Sequence, residues 1–397
     1  MAEGAVARTE RPVGAGQERW DIFCRVVDNY GDVGVAWRLA RCLAREHGKR
    51  VRLYLDDLTV LARLRPDADP ARDAQRIDSV EIRLWDERLD AGGPLPDGEI
   101  ADVVVETFGC DTPGPYVLAM AARHPHPRWI NLEYLSAEAW VEGSHALPSP
   151  HPRLAPLTRH FFFPGFTART GGLLRESDLI DRRDAFQADR ATQAAFWRSL
   201  AGAVPPEGAL KVSLFGYLGA PYEALLEAMK HHGGPVWVVA PEGVASAAVA
   251  GWCHGKPHGE RGAVEAFAVP FLDQDRYDEL LWACDLNFVR GEDSFVRAQW
   301  AARPFVWHIY PTDDGAHWVK LAAFLARYTA GMDRDHAACL TALWEGWNRG
   351  EPPARAWPAF EAALPALAPH AEDWAARLAS QADLATQLAD FADNVLI

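Results

Sequence analysis

At 397 residues, with 49% hydrophobic and 24% charged residues, the chain has a globular composition and the length of two ordinary domains. Its formal net charge of −15 excludes broad electrostatic binding to nucleic acid or to an anionic membrane. No apolar run reaches the length of a membrane span, and six cysteines without a Cys-x-x-Cys pair point to reduced thiols in a cytoplasmic protein.

Residues 1–17 are rich in Gly, Ala, Arg and Glu without the apolar stretch of a signal peptide, and are expected as a disordered tail. A strand is expected over Trp20–Val27 and a helix over Val33–His47. A strand at Val51–Leu55, a short helix at Leu58–Leu64 and strands at Ser79–Leu84 and Ala101–Phe108 follow. A helix over Gly114–Arg123 and a strand at Arg128–Leu132 complete the series. Such alternation implies a parallel sheet covered on both faces. Residues 142–175, rich in Pro, Gly, His and Arg, are expected to be irregular.

A second alternating block follows Val204-Pro-Pro-Glu-Gly. Its expected strands are Lys211–Phe215, Val236–Val239, Val264–Val269, Leu286–Val289 and Pro304–Ile309. Helices are expected at Tyr222–His231 and near Asp275–Cys284 and Ser294–Ala301. From His317 the chain reads as helical, closing with Asp373–Val395. The expected fold is α/β, with Rossmann-like domains at 18–203 and 204–377 and a last helix, about 378–397, returning to the first. Two doubly wound domains facing a central cleft form the GT-B architecture. Periplasmic binding proteins and sugar epimerases share that outline, so the fold alone decides no chemistry.

The first strand runs into Asp28-Asn29-Tyr30-Gly31-Asp32-Val33-Gly34. Gly31 and Gly34 flank Asp32, permitting a sharp bend and close approach of another molecule. A solvated turn would account for one carboxylate; two, at the carboxyl end of a first strand, fit a site. In the second block, Phe288-Val-Arg290-Gly291-Glu292-Asp293-Ser294 ends a strand, turns and opens a helix. Free N–H groups and the helix dipole there suit a nucleotide diphosphate. Capping by Asp293 or Ser294 is the plain alternative, and it leaves Arg290 unexplained. Leu214-Phe215-Gly216-Tyr217 and Val269-Pro270-Phe271-Leu272-Asp273-Gln274 end two more strands. Their rings are core plugs or, beside a phosphate site, walls for a nucleobase whose edge Gln274 reads. Neither a Walker A loop nor a G-x-G-x-x-G is present, and Cys253-His254 with His258 lacks further ligands at metal spacing. No metal is expected.

These segments, with DIFCRVVDNYGDVGVAWRLAR from Asp21, PFLDQDRYDELLWACDLNFVRGEDSFVRAQWA from Pro270 and HIYPTDDGAHWVKL from His308, carry a resemblance across residues 18–395. The chain resembles the bacterial protein-arginine rhamnosyltransferases of elongation factor P, the EarP family. The resemblance implies a GT-B fold, dTDP-β-L-rhamnose as donor, an arginine of elongation factor P as acceptor, and no cofactor or metal. The family's essential acidic residues fall on Asp28, Asp32 and Glu292. Its nucleotide-binding positions fall on Phe215, Tyr217, Phe271, Gln274, Arg290, Glu292, Asp293 and Ser294, with Gly291 in the same turn. Asn29, Tyr30, Gly31 and Gly34 form the loop near donor and acceptor. Leu218-Gly219 stands where relatives are expected to carry an acidic residue. Asp32 would act as base and Asp28 orient the guanidinium, or the reverse. Arg290 and the amides around Asp293 and Ser294 would meet the leaving diphosphate. A nucleotide-sugar epimerase or nucleotide-sugar-binding protein is the alternative reading.

Overall fold

Branched apolar runs such as Val103–Val105 and Val236–Val239 are buried along their whole length, as strands covered on both faces must be. The computed structural model describes residues 17–28, 30–92, 95, 97–154 and 157–395. Asn29 and all but the last residue of the expected 1–17 tail lie outside the described residues.

The first sheet contains β1 (Arg19–Cys24), β2 (Arg50–Leu55), β3 (Ala74–Ile77), β4 (Val80–Leu84), β5 (Val103–Thr107), β6 (Arg128–Leu132), β7 (Pro148–Pro150) and β8 (Thr158–Phe162). Their order is β3-β4-β2-β1-β5-β6-β8-β7. β3 and β7 run antiparallel at the two edges, and the strands between them are parallel. The second sheet contains β9 (Leu210–Leu214), β10 (Val236–Pro241), β11 (Val264–Val269), β12 (Leu286–Arg290) and β13 (Phe305–His308), all parallel, in the order β11-β10-β9-β12-β13. Both are doubly wound. Their strand order reverses at β1/β5 and at β9/β12, and such switch points are where open α/β sheets bind ligands.

The helices around the first sheet are α1 (Tyr30–Arg45), α2 (Leu58–Leu64), α3 (Glu87–Ala91), α4 (Gly114–Ala122) and α5 (Val141–Ser144). Then come α6 (Leu179–Ala188), α7 (Arg190–Ala201), α8 (Tyr222–Met229), α9 (Val244–Gly255), α10 (Gln274–Ala283) and α11 (Asp293–Trp300). The tail holds α12 (Ala316–Tyr328), α13 (Arg334–Asn348), α14 (Trp357–Ala379) and α15 (Leu384–Asn394). Among the described residues no helix is long and apolar enough to cross a membrane.

One apolar cluster joins Ile22, Leu53 and Val105 to α1 and to Leu384, Leu388 and Ala392 of α15. Another fills the second sheet and takes in Leu135, Phe166, Phe186, Phe196 and Trp197. The packing therefore changes hands earlier than residue 203: Phe186 of α6 lies 5.9 Å from Trp282 of α10 and 5.7 Å from Phe196 of α7, and the Arg276 guanidinium of α10 covers the Phe196 ring at 4.6 Å.

Four local expectations differ from the structure. The stretch 142–175 is not wholly irregular: β8 pairs in parallel with β6, and β7 covers it as a proline-flanked edge. Helix α1 begins at Tyr30, ahead of Val33, because Asp32 folds back to accept hydrogen bonds from the N–H groups of Val27 and Asp28, both at 2.8 Å. The hairpin partner β3, half exposed, adds an edge strand. The closing helix is interrupted after Ala379, where Asp383 caps a new helix by accepting from the Thr386 N–H.

Candidate active site

The loops that leave β1, β9 and β12 at the two switch points face one another, and the expected site residues converge there. Asp28, after β1, reaches across to the second sheet. Its Oδ2 accepts from the Tyr217 hydroxyl at 2.6 Å and its Oδ1 from Arg290 Nη1 at 3.1 Å. The Arg290 guanidinium lies 4.7 Å from the ring centres of both Phe215 and Tyr217. Burial pushes the Asp28 carboxyl up, and Tyr217 and Arg290 pull it back down.

Two glycines make this approach possible. A Cβ on Gly31 would lie 2.9 Å from Asp28 Oδ2. One on Gly291 would lie 2.8 Å from the same oxygen, and Gly291 also holds a φ of +62°. Gly34 serves a second close approach. A Cβ there would meet Gln274 Nε2 at 3.0 Å and Asp293 Oδ2 at 3.1 Å.

Asp32 is buried in the first turn of α1, with one oxygen committed to the Val27 and Asp28 amides. Burial raises its carboxyl; those amides and the Tyr134 hydroxyl favour its charged form. Glu292 is half-buried and accepts from the Leu135 N–H at 2.9 Å. Its surroundings push its carboxyl up from an ordinary 4.5 to about 8, through burial against the opposing Leu135 amide and Lys320. Between those two values the folded chain holds more protons than the unfolded one. The carboxylate's contribution to stability therefore declines as pH rises through that window. Urea unfolding across the window should show this decline, and Glu292→Gln should flatten it.

No side chain caps the start of α11. Ser294 donates its hydroxyl back to the Arg290 carbonyl and accepts from the Arg290 N–H at 3.2 Å, so it pins the turn instead. Asp293 is turned toward α1, with Oδ1 3.0 Å from Arg38 Nε and Oδ2 accepting from Gln274 Nε2 at 3.1 Å. The Gln274 amide also donates to the Gly34 carbonyl at 3.2 Å, while its Oε1 has no hydrogen-bond partner. Gln274 and Asp293 thus join the domains as well as bordering the cleft. Phe271 meets Tyr30 of the first domain at 4.9 Å, and the Arg63 guanidinium lies 4.7 Å from its ring centre.

Two cavities flank the Asp28–Arg290 pair. A narrow one of about 60 Å³ lies among Tyr30, Phe215, Phe271, Tyr277, Arg290 and Ser294. A wider one of about 310 Å³ holds Asp28, Asp32 and Glu292 together with Tyr134, Tyr310, His317 and Lys320. Gly31 and Gly291 line both. A larger space of about 700 Å³ along Trp129, His151 and Arg159 contains none of the expected residues. Tyr134 had no sequence signal beyond its place after β6. Lys320 and His317 lie in the recognised His308–Leu321 segment without an individual role read there.

Behind the cleft, Arg38 of α1 and Arg297 of α11 both grip Asp278 of α10. Arg38 bonds it at 3.0 and 3.1 Å, and Arg297 at 2.6 and 3.0 Å. Glu176 bridges the two arginines at 3.2 and 2.6 Å. These buried charges hold α1, which begins at the Asp32 turn, against α10 and α11, which begin at Gln274 and Asp293.

Among the described residues, no group of three or more His, Cys, Asp or Glu is arranged to hold a metal ion. Residues 20–393 match the family model described as Elongation-Factor P (EF-P) rhamnosyltransferase EarP. The chain is 48% identical, over 95% of its length and 99% of the other, to a protein-arginine rhamnosyltransferase of Pseudomonas putida. It is 46% identical to one of Pseudomonas aeruginosa, over 94% of this chain and 98% of the other. A solved structure described as the structural basis for EarP-mediated arginine glycosylation of translation elongation factor EF-P matches with a TM-score of 0.65 at 35% identity, covering 96% of this chain and 100% of the other. A glycosyltransferase from Rickettsia africae matches in fold, with a TM-score of 0.54 at 9% identity over 96% and 98% of the two chains. The two doubly wound sheets facing a cleft are the GT-B fold.

Proposed function

This chain belongs to the EarP family of rhamnosyltransferases, and from that premise we propose that it moves L-rhamnose from dTDP-β-L-rhamnose to an arginine of elongation factor P, with inversion at the anomeric carbon. It is an enzyme, a glycosyltransferase of the protein-arginine rhamnosyltransferase class. A cytoplasmic setting, activation of the factor for ribosomes stalled at polyproline, and transfer without metal or other cofactor belong to the same proposal.

The observation that carries the reading is the gathering of Asp28, Asp32 and Glu292 around one cavity, with Arg290 and the uncapped start of α11 beside it. A guanidinium stays protonated and delocalised, so a single base matches it poorly. Two carboxylates grip its planar fork and bring one nitrogen to the sugar carbon. Asp28 has both oxygens held by neighbours and suits orientation. Asp32, raised by burial and fixed through one oxygen, suits the base that accepts the proton as the C–N bond forms. The departing diphosphate is met by Arg290 and the first amides of α11. Glu292, which accepts from the Leu135 N–H, would either contact the donor hydroxyls or hold its loop.

The test is incubation of the enzyme with dTDP-rhamnose, with and without elongation factor P. Release of dTDP that requires the acceptor, and a deoxyhexose mass on its arginine, are expected. Conversion of the donor without acceptor would favour the epimerase alternative. An acceptor carrying lysine in place of the arginine should gain no sugar, because an ammonium offers no planar fork. EDTA should leave the rate unchanged.

Phe271→Ala should weaken donor binding by about 1–3 kcal/mol, the scale of a lost base–aromatic stack. Calorimetry with dTDP reads this directly. A lower Tm with normal dTDP affinity would make the ring a core plug.

A further inference from the structure

Tyr217 gives its hydroxyl to Asp28 at 2.6 Å, yet it stands beyond the end of β9, where the strand ladders have stopped. Leu218, which follows it, is exposed, so the chain leaving Tyr217 does not hold it either. Two side chains from elsewhere do. His308, at the end of β13, accepts from the Tyr217 N–H through Nδ1 at 3.1 Å. Tyr222, at the start of α8, donates its hydroxyl to the Tyr217 carbonyl at 2.6 Å. Both backbone polar groups of Tyr217 are thus bound by side chains. Gly216 leaves room for them, since a Cβ there would lie 2.6 Å from the Tyr222 hydroxyl and 3.1 Å from His308 Nδ1. Buried Trp347 of α13 backs both, its ring centre 5.5 Å from that of Tyr222 and 6.2 Å from that of His308.

Resting on the function proposed above, we propose that His308 and Tyr222 are positioning residues for arginine transfer, clamping the backbone of Tyr217 so that its hydroxyl stays on Asp28. Neither lines the two cavities that flank the Asp28–Arg290 pair. The His308 ring stands edge-on to the Tyr217 ring, with 5.3 Å between centres, so it sets the ring as well as the backbone. The histidine suits this place because it is neutral: burial and the Arg290 charge push it down from 6.5 to about 4. With Nδ1 accepting, the proton of the neutral ring belongs on Nε2. A cationic ring would turn an N–H against the Tyr217 N–H and set a second positive charge beside Arg290.

Steady-state transfer from dTDP-rhamnose to folded elongation factor P, measured on variants of the full chain, tests the clamp. Tyr222→Phe loses only the hydroxyl, and kcat should fall about 10–100-fold, the scale of a misplacement near 1 Å. His308→Leu should fall in the same range. In His308→Asn an amide oxygen can stand where Nδ1 stood, and most of the rate should return. Tyr217→Phe removes the hydroxyl that the clamp presents. In that background Tyr222→Phe and His308→Leu should cost no more than about twofold further, because residues acting through one contact are not additive. A packing role alone would lower Tm and carry its full cost into the Tyr217→Phe background. The inference is overturned by a Tyr217→Phe or Tyr222→Phe rate within about twofold of wild type, or by losses that multiply in the double variants. If the wild type transfers rhamnose to the arginine in those cases, the clamp alone falls and the proposed function stands. A wild type that transfers no sugar to the arginine overturns both.

Discussion

Asp32→Asn is expected to lower kcat by about 10²–10⁴-fold, the range a positioned general base contributes, while leaving the fold and dTDP affinity nearly unchanged. The substitution is isosteric. An amide oxygen can still accept from the Val27 and Asp28 N–H groups that fix this turn, so α1 should begin where it does now. What disappears is the negative charge and the ability to accept a proton from the acceptor. Asp32→Ala should be worse in a different way, releasing both amides and disturbing Asp28. Steady-state kinetics, dTDP calorimetry and thermal unfolding on both variants separate the effects. A kcat for Asp32→Asn within a few-fold of wild type, or a loss explained wholly by dTDP binding, would remove Asp32 from the base role.

The largest effect on stability should come from Arg38→Met, at about 3–5 kcal/mol, the cost of breaking a buried ion cluster by removing one partner. Arg38 is buried and contacts Asp278, Glu176 and Asp293 at once. Its loss leaves Arg297 as the remaining cation among three carboxylates, and Arg297 contacts only two of them. Because Asp293 sits at the start of α11, donor affinity should fall as well. Urea unfolding measures the first effect and dTDP calorimetry the second. A change below about 1 kcal/mol, the size of an exposed pair, would show that the cluster is solvated and passive.

Much of the architecture is legible because parallel strands covered on both faces must be continuous apolar runs, and Val103–Val105 and Val236–Val239 are such runs. Where burial is one-sided the signal weakens. In Thr158–Phe162 only Phe162 is fully buried, so the strand resembles its Pro-rich surroundings. Helices α6 and α7 bury little beyond Leu179, Phe186, Phe196 and Trp197, and their charged faces hide them. At the site, Gly291 marks the turn after β12, while Gly31 and Gly34 lie inside the first turns of α1 and mark close approaches there. The contact of Asp28 with Arg290 and Tyr217 is a product of domain docking, to which local pattern is blind. Arg38 shows the same limit: α1 is buried continuously from Asp32 to Leu43, so no polar stripe separates a buried arginine from a solvated one.

Helix α15 gives the chain a particular order of assembly. The apolar cluster of the first sheet contains Leu384, Ala385, Leu388, Ala389 and Ala392, residues that leave the ribosome after the entire second sheet. Domains ordinarily fold as units from the N-terminus during synthesis. Here the first sheet, though made first, waits with one flank of α1 uncovered until α15 arrives, and the second sheet can close its own core beforehand. The nascent chain therefore finishes its acidic Asp28–Asp32 turn on an incomplete base. The part translated last seats the part translated first.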